Sequence, residues 1–137
     1  MPTKLLWSGL RYKILGWVEG GACAVQQFLL KLEADGDPNA AGMWRLLKDS
    51  AQNGTPTNPE KFHNLHGEKG KGLFEFKTRG GARIICFFDL KNIVCTHGIA
   101  KFKPKRFDRE IEKAQRIKEA YIEEQAANNL QRKQEEQ

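Results

Sequence analysis

The sequence has few cysteines and no long apolar run. Cys23, Cys86 and Cys95 lie far apart and form no Cys-x-x-Cys pair, so we expect reduced thiols in a core rather than a disulfide framework. No stretch approaches the roughly 20 apolar residues that a membrane span needs. Residues 1–17 also lack the apolar core of a signal peptide. We therefore expect a cytoplasmic protein with no membrane partner.

Basic residues are concentrated in one part of the chain. The 137 residues include 23 Lys or Arg and 17 Asp or Glu, which gives a formal net charge of +6. Residues 61–106 hold 11 basic and 3 acidic side chains, whereas the segments before and after them carry no basic excess. Such a footprint is typical of proteins that bind a phosphate backbone, although a merely solubilising surface would have the same composition.

A strand and two helices are predicted in the first half of the chain. The β-forming residues of Arg11–Val18 predict a strand that ends before Gly20-Gly21. The apolar residues that follow recur at helical spacing, at Val25, Phe28, Leu29 and Leu32. A second helix is predicted with Asp37 as its N-cap, Pro38 at its first position and an end at Asn53-Gly54.

Three short strands are predicted in the basic segment. Thr55–Gly72 has the composition of a long loop. The runs Leu73–Arg79, Ala82–Phe88 and Ile93–Ile99 are rich in Phe, Ile and Val, and their short connections predict an antiparallel meander.

The element order predicts an α+β fold. A small antiparallel sheet, made of the N-terminal strand and the meander, is expected to pack against two N-terminal helices. Asp108 is predicted to cap a C-terminal helix, and the polar residues from Ala126 onward predict a fraying end. We expect one domain over residues 1–125 and a polar tail over residues 126–137.

The meander also places charged side chains on shared faces. Alternate residues of a strand point the same way, so Glu75, Lys77 and Arg79 share one face. His97, Lys101 and Lys103 share a face if the last strand stays extended through Lys103. These patterns predict a row of cations along the sheet.

The hairpin register decides whether Arg83 joins these cations. A two-residue loop, Gly80-Gly81, would pair Lys77 with Ile84 and send Arg83 to the opposite face. A three-residue loop, Arg79–Gly81, would pair Lys77 with Arg83 directly. A slip of one residue exchanges the two faces, and we favour the second register because it brings the cations together.

This set of side chains has the chemistry needed to cut RNA. The 2′-hydroxyl attacks the adjacent phosphorus, so a base must take its proton, cations must stabilise the phosphorane, and an acid must protonate the leaving 5′-oxygen. His97 and crowded lysines are candidates for acid and base, while Lys77, Arg83, Lys101 and Lys103 supply charge. No metal or other cofactor is expected.

The same residues also have structural interpretations. His97 at a strand end is typical of a hydrogen-bonded structural histidine. Lys101 and Lys103, with Lys105 and Arg106, are equally compatible with binding a phosphate backbone without catalysis. Glu75 is expected to form an ion pair with Lys77 or Lys101.

Two further features lie in the long loop. Lys69 and Lys71 belong to a glycine-rich segment and are predicted to reach a nucleic-acid backbone, as are Arg79, Lys105 and Arg106. His63-x-x-His66 has a metal-like spacing, but no Cys or Asp ligand is near it in the sequence, and we do not expect a zinc site.

Four blocks of sequence carry a resemblance to a known family. They are Leu73–Lys77 (LFEFK), Ala82–Phe88 (ARIICFF), Ile93–Pro104 (IVCTHGIAKFKP) and Glu110–Ala114 (EIEKA). In order and spacing, the segment from Leu65 to about Tyr121 resembles the phage-derived branch of the RelE/HigB-like toxin superfamily. The resemblance implies a compact sheet packed on helices. It also implies a ribosome-dependent, metal-independent endoribonuclease that cleaves messenger RNA and is neutralised by a cognate antitoxin, often a helix-turn-helix protein.

The resemblance also implies site residues. Lys77 stands where the branch usually has Arg, Arg83 matches the strand arginine, and His97 matches the histidine of Leu-His-Gly. Lys101 and Lys103 stand in for an adjacent Lys-Lys pair, which Phe102 splits in this chain. A non-catalytic nucleic-acid-binding protein on the same scaffold is the alternative function.

Overall fold

The computed structural model describes residues 2–136 and confirms the α+β class. The chain alternates short strands with three helices over this range. The elements are β1 (Thr3–Ser8), β2 (Lys13–Glu19), β3 (Ala22–Cys23), α1 (Ala24–Ala34), α2 (Asn39–Asn53), β4 (Phe62–Asn64), β5 (Phe74–Lys77), β6 (Arg83–Asp89), β7 (Asn92–Ile99) and α3 (Pro104–Glu135).

The strands form one mixed sheet in the order β1-β2-β7-β6-β5-β4, and β3 pairs with the end of β2. The meander β5-β6-β7 is confirmed, and β2 joins it in parallel with β7. The prediction of a single N-terminal strand missed β1, and the prediction of an uninterrupted loop missed β4. Both lie at the sheet edges, where pairing to a neighbour stabilises a strand that has no regular alternation of its own.

Helices cover both faces of the sheet, which makes three layers. The alternation along β6 shows the arrangement: Ile84 and Cys86 face α1 and α2, whereas Ile85 and Phe87 face α3. The first core takes Val25, Leu29, Met43 and Leu47 from α1 and α2, and the second takes Ile111, Ala114, Ile117 and Tyr121 from α3. Each fully buried Leu, Ile or Phe contributes about 1.5–3 kcal/mol, so both helical layers hold the sheet in place.

The start of α2 lies one residue later than predicted. Pro38 occupies the N-cap, and the helix begins at Asn39. The Asp37 carboxylate still accepts a hydrogen bond from the Asn39 backbone N–H at 2.9 Å, so it satisfies one of the free donors of the first turn.

The predicted start of the last helix, at Asp108, is wrong. Strand β7 ends at Ile99, and α3 begins at Pro104, whose fixed φ suits a first helical position. The last strand therefore does not extend through Lys103. Residues 126–135 continue α3 with exposed side chains. Over residues 2–136, no helix combines the length and apolar character required to cross a membrane.

Candidate functional site

The β5-β6 hairpin adopts the three-residue-loop register. Lys77 pairs directly with Arg83, and Arg83 pairs in turn with Ile99 on β7. The loop closes through a hydrogen bond from Thr78 N to Ala82 O and a glycine at Gly81 with a φ of 94°. Lys77, Arg83 and Ile99 therefore form one row across the sheet, and strand spacing separates Lys77 from Ile99 by about 10 Å.

Arg83 is held in a buried ion pair. Its Nη1 lies 2.7 Å from Glu75 Oε1, and the two side chains are 12% and 0% exposed. His63 Nε2 lies 3.0 Å from the same carboxylate oxygen. Glu75 forms an ion pair as predicted, but the predicted partner, Lys77 or Lys101, is wrong because the cation is Arg83. Glu75 and Arg83 are diagonal neighbours on one sheet face, within easy reach of a long side chain.

Two aromatic rings cover the Arg83 guanidinium. Its Cζ lies 3.8 Å from the centroid of the Phe102 ring and 5.5 Å from that of Phe107. The two rings meet edge to face, with their centroids 5.0 Å apart. Arg83 is therefore largely shielded from solvent, and its charge lies directly beneath an aromatic face.

His97 is buried between β7 and α3. Its Nδ1 lies 2.9 Å from Thr96 Oγ1, and its Nε2 lies 2.6 Å from Glu110 Oε2. Burial lowers the pKa of His97 below its ordinary value, and the hydrogen bond to Glu110 opposes that shift. A neutral imidazole protonated at Nε2 donates to the Glu110 carboxylate. The Thr96 hydroxyl donates to the Ile85 carbonyl at 3.2 Å and also lies within hydrogen-bond distance of Nδ1.

A groove of about 360 Å³ lies where β7 passes into α3. Its lining includes three cations and two aromatic rings but a single carboxylate, that of Glu110. The lining residues are Ile99, Ala100, Lys101, Phe102, Lys103, Arg106, Phe107 and Glu110. We call this cavity the basic groove. It brings together Lys101, Lys103 and Arg106 from the predicted set.

The other predicted cations lie outside the basic groove. Lys77 and Arg79 line a cavity of about 210 Å³ together with Arg45 and Lys61 from α2 and the long loop. Lys105 is exposed on the first turn of α3. The predicted cations are therefore divided between a groove beside α3 and a cavity beside α2.

The two loop lysines lie further along α3. Lys69 and Lys71 line a cleft of about 580 Å³ beside that helix. Acidic side chains of α3, such as Glu112 and Glu119, line the same cleft. Lys69 Nζ lies 3.5 Å from Asp108 Oδ2, so one of these two cations already faces a carboxylate.

Sequence reasoning missed Glu110 and Phe102 as site residues. Glu110 belongs to the Glu110–Ala114 block, but a helix that begins at Asp108 does not predict a contact between its side chain and His97. Phe102 was noted only as a residue that splits two lysines. The aromatic interleaving of Lys101-Phe102-Lys103 was the available signal, because bases stack on aromatic rings beside cationic side chains.

A larger cleft has a different chemistry. It measures about 630 Å³ between β1 and α2, and it contains two acidic and two basic residues. Because its charges balance, it offers no attraction for an anionic backbone. Within residues 2–136 no group of three or more His, Cys, Asp or Glu side chains is placed to hold a metal ion.

These elements match a known protein family. The family described as phage-derived protein Gp49-like (DUF891) matches residues 28–119, about two thirds of the chain. The match runs from α1 into α3, so it contains the basic groove and the His97–Glu110 pair. It also begins well before Leu65, where the sequence resemblance began. No curated protein matches the chain significantly.

Proposed function

The chain belongs to the phage-derived Gp49-like family, and we propose that it is the toxin of a toxin–antitoxin system, an endoribonuclease that cleaves messenger RNA on the ribosome. Members of this family are often toxins of such systems. The observation that carries the proposal is the basic groove, in which three cations and two aromatic rings surround one carboxylate. The RelE/HigB-like resemblance of the four sequence blocks supports the same function.

The groove offers the groups that backbone cleavage requires. We propose that the Glu110 carboxylate takes the proton of the 2′-hydroxyl as its oxygen attacks phosphorus. The bond from phosphorus to the 5′-oxygen breaks, and the products are a 2′,3′-cyclic phosphate and a 5′-hydroxyl. Lys101, Lys103 and Arg106 stabilise the charge of the phosphorane, and a lysine ammonium protonates the leaving oxygen. No metal ion takes part in this scheme.

In this proposal the two buried residues among the predicted site residues, His97 and Arg83, act through other residues. His97 lies behind Glu110 and orients its carboxylate, while Arg83 lies behind Phe102. Both are therefore positioning residues. We propose that Lys77, about 10 Å along the row from Ile99, holds a neighbouring phosphate of the same strand from the cavity beside α2.

Expression in a bacterial host tests the function. We expect growth arrest and new transcript ends within translated regions, mapped by primer extension. The double substitution Lys101→Ala/Lys103→Ala should abolish both effects. Lys91→Ala is the matched control, because Lys91 is an exposed lysine in the turn at the opposite end of β6 and β7. Normal growth and intact transcripts with the wild-type chain would contradict the proposal.

An antitoxin is the partner that this function implies. We propose a small cognate protein, with a helix-turn-helix domain, encoded beside this chain, and messenger RNA on cytoplasmic ribosomes as the target. Co-expression of the neighbouring reading frame should restore growth and yield a complex that co-purifies with the toxin.

A non-catalytic nucleic-acid-binding protein is the second candidate. The observation that favours it is the burial of Arg83 and His97, two residues expected to act on the phosphate. It predicts salt-sensitive RNA binding with no cleaved product. Cleavage of ribosome-bound message by the purified protein would rule it out.

A further inference from the structure

Three side chains form a stack that ends at the basic groove. Glu75 is fully buried and binds Arg83 at 2.7 Å, and Arg83 in turn lies under Phe102 with its Cζ 3.8 Å from the ring centroid. Phe107 holds the edge of the Phe102 ring. The ring is therefore fixed from below and from one side before any ligand arrives.

The stack ends at a ring that is partly open to solvent. Phe102 is 37% exposed although it packs on Arg83 and Phe107, so part of the ring remains accessible to a ligand. The cation beneath it draws the π electrons toward the buried face. The exposed face is consequently less negative, which favours stacking with the electron-rich ring of a nucleobase.

We propose that Phe102 is the stacking platform for one nucleobase of a single-stranded RNA, with Lys101 and Lys103 binding the phosphates on either side of that base. The proposal rests on the RNA-directed function above and names the position at which the strand is held. Base–aromatic stacking beside cationic side chains is the usual way of binding a single strand, and every base offers a π face. The groove volume of about 360 Å³ is sufficient for a base.

The arrangement also gives Arg83 a role that is compatible with its burial. A guanidinium paired with Glu75 and covered by a ring does not bind a phosphate oxygen. It does support that ring from below, because the hydrogen bond from Nη1 to Glu75 holds the guanidinium beneath it. Phe102 stands where the resemblance implies the second lysine of a Lys-Lys pair. It thus supplies a surface for base stacking, which a second adjacent cation would not.

Binding of an uncleavable oligonucleotide tests the stacking directly. The probe is a short oligoadenylate carrying 2′-O-methyl groups, compared with the same oligomer made abasic at every position. Phe102→Ala should weaken binding of the base-containing probe by about tenfold and leave the abasic probe unchanged. Phe102→Leu, which still covers Arg83, should show the same loss, and Phe102→Trp should restore binding. Lys101→Ala should weaken both probes.

The outcomes separate this proposal from the proposed function. Because the probe cannot be cleaved, base-dependent binding that requires an aromatic residue at 102 supports the platform whether or not the protein is a nuclease. Equal binding of the base-containing probe by wild type and Phe102→Leu would overturn it, even in an active toxin. An equal loss on the abasic probe would also overturn it, because Phe102 would then act only by supporting the fold.

Discussion

His97 Nε2 lies 2.6 Å from Glu110 Oε2, so one hydrogen bond joins the last strand to the last helix at the wall of the basic groove. The histidine is 3% exposed, whereas the Glu110 side chain is 33% exposed and reaches the groove. The carboxylate is therefore the member of the pair that can meet a substrate, and the imidazole is the member that orients it.

Glu110→Gln should remove the proposed base and keep the contact. A glutamine oxygen still accepts the His97 Nε2 proton, but an amide does not take a proton from a hydroxyl. We expect single-turnover cleavage of ribosome-bound message to slow by about 10²–10⁴-fold, with a thermal midpoint close to that of the wild type. Glu112→Gln, an exposed neighbour on α3, is the control. An unchanged cleavage rate in Glu110→Gln would show that another group is the base.

The lowered pKa of His97 predicts how stability depends on pH. In the unfolded chain the imidazole takes up a proton as the pH falls through about 6.5, whereas in the folded protein burial keeps it neutral to a lower pH. The unfolded state then binds more protons, so the free energy of unfolding falls as the pH decreases through this window.

Urea denaturation at about pH 7.5 and about pH 5.5 measures this effect on either side of the ordinary histidine pKa. The drop in the free energy of unfolding should be smaller in His97→Asn than in the wild type. His66→Asn, which replaces an exposed histidine, should keep the wild-type drop. The same pH dependence in His97→Asn and the wild type would contradict the assigned direction.

Arg83→Ala should lower the free energy of unfolding more than the substitution of an exposed arginine does. It leaves the fully buried Glu75 without its cation, and breaking such a pair costs about 3–5 kcal/mol. Arg79→Ala, in the exposed turn beside it, should change the free energy of unfolding by less than about 0.5 kcal/mol. Equal urea midpoints for the two variants would show that the buried pair contributes little. A loss of toxicity in Arg83→Ala is therefore interpretable only together with its stability.

The groove lysines should govern the salt dependence of RNA binding. If Lys101 and Lys103 each neutralise one phosphate, then Lys101→Ala/Lys103→Ala lowers the slope of log K against log salt by about 1.4, since each single-strand contact contributes roughly 0.7. Lys91→Ala should leave the slope as it is. Filter binding of a single-stranded RNA over a range of salt concentrations measures this, and equal slopes for the double variant and the wild type would place the RNA elsewhere.

The central sheet was predictable because local chemistry determines it. The three apolar runs and the short turns between them defined the meander, and the favoured hairpin register is the one observed. Both N-terminal helices followed from apolar spacing and from Asp37-Pro38. The edge strands β1 and β4 were missed because long-range pairing, rather than an alternating pattern, stabilises them.

The site was less predictable, because its contacts join residues distant in sequence. His97, Lys101 and Lys103 share a face only if the last strand stays extended through Lys103, yet the chain leaves the sheet after Ile99 and starts α3 at Pro104. That turn brings Glu110 to His97 and Phe102 over Arg83. The buried partner of a charged side chain depends on tertiary packing, and no periodicity in the sequence identifies it.

Analysis of the cleavage products would test the central claim most directly. Purified protein is incubated with a programmed ribosome whose message is either unmodified or carries a single 2′-deoxynucleotide at the mapped cut position, at a Mg²⁺ concentration that keeps the ribosome assembled. We predict a 2′,3′-cyclic phosphate and a 5′-hydroxyl from the first message and no cut at that position in the second. Cleavage of the 2′-deoxy message at the same position, or no cleavage of either, would contradict the account.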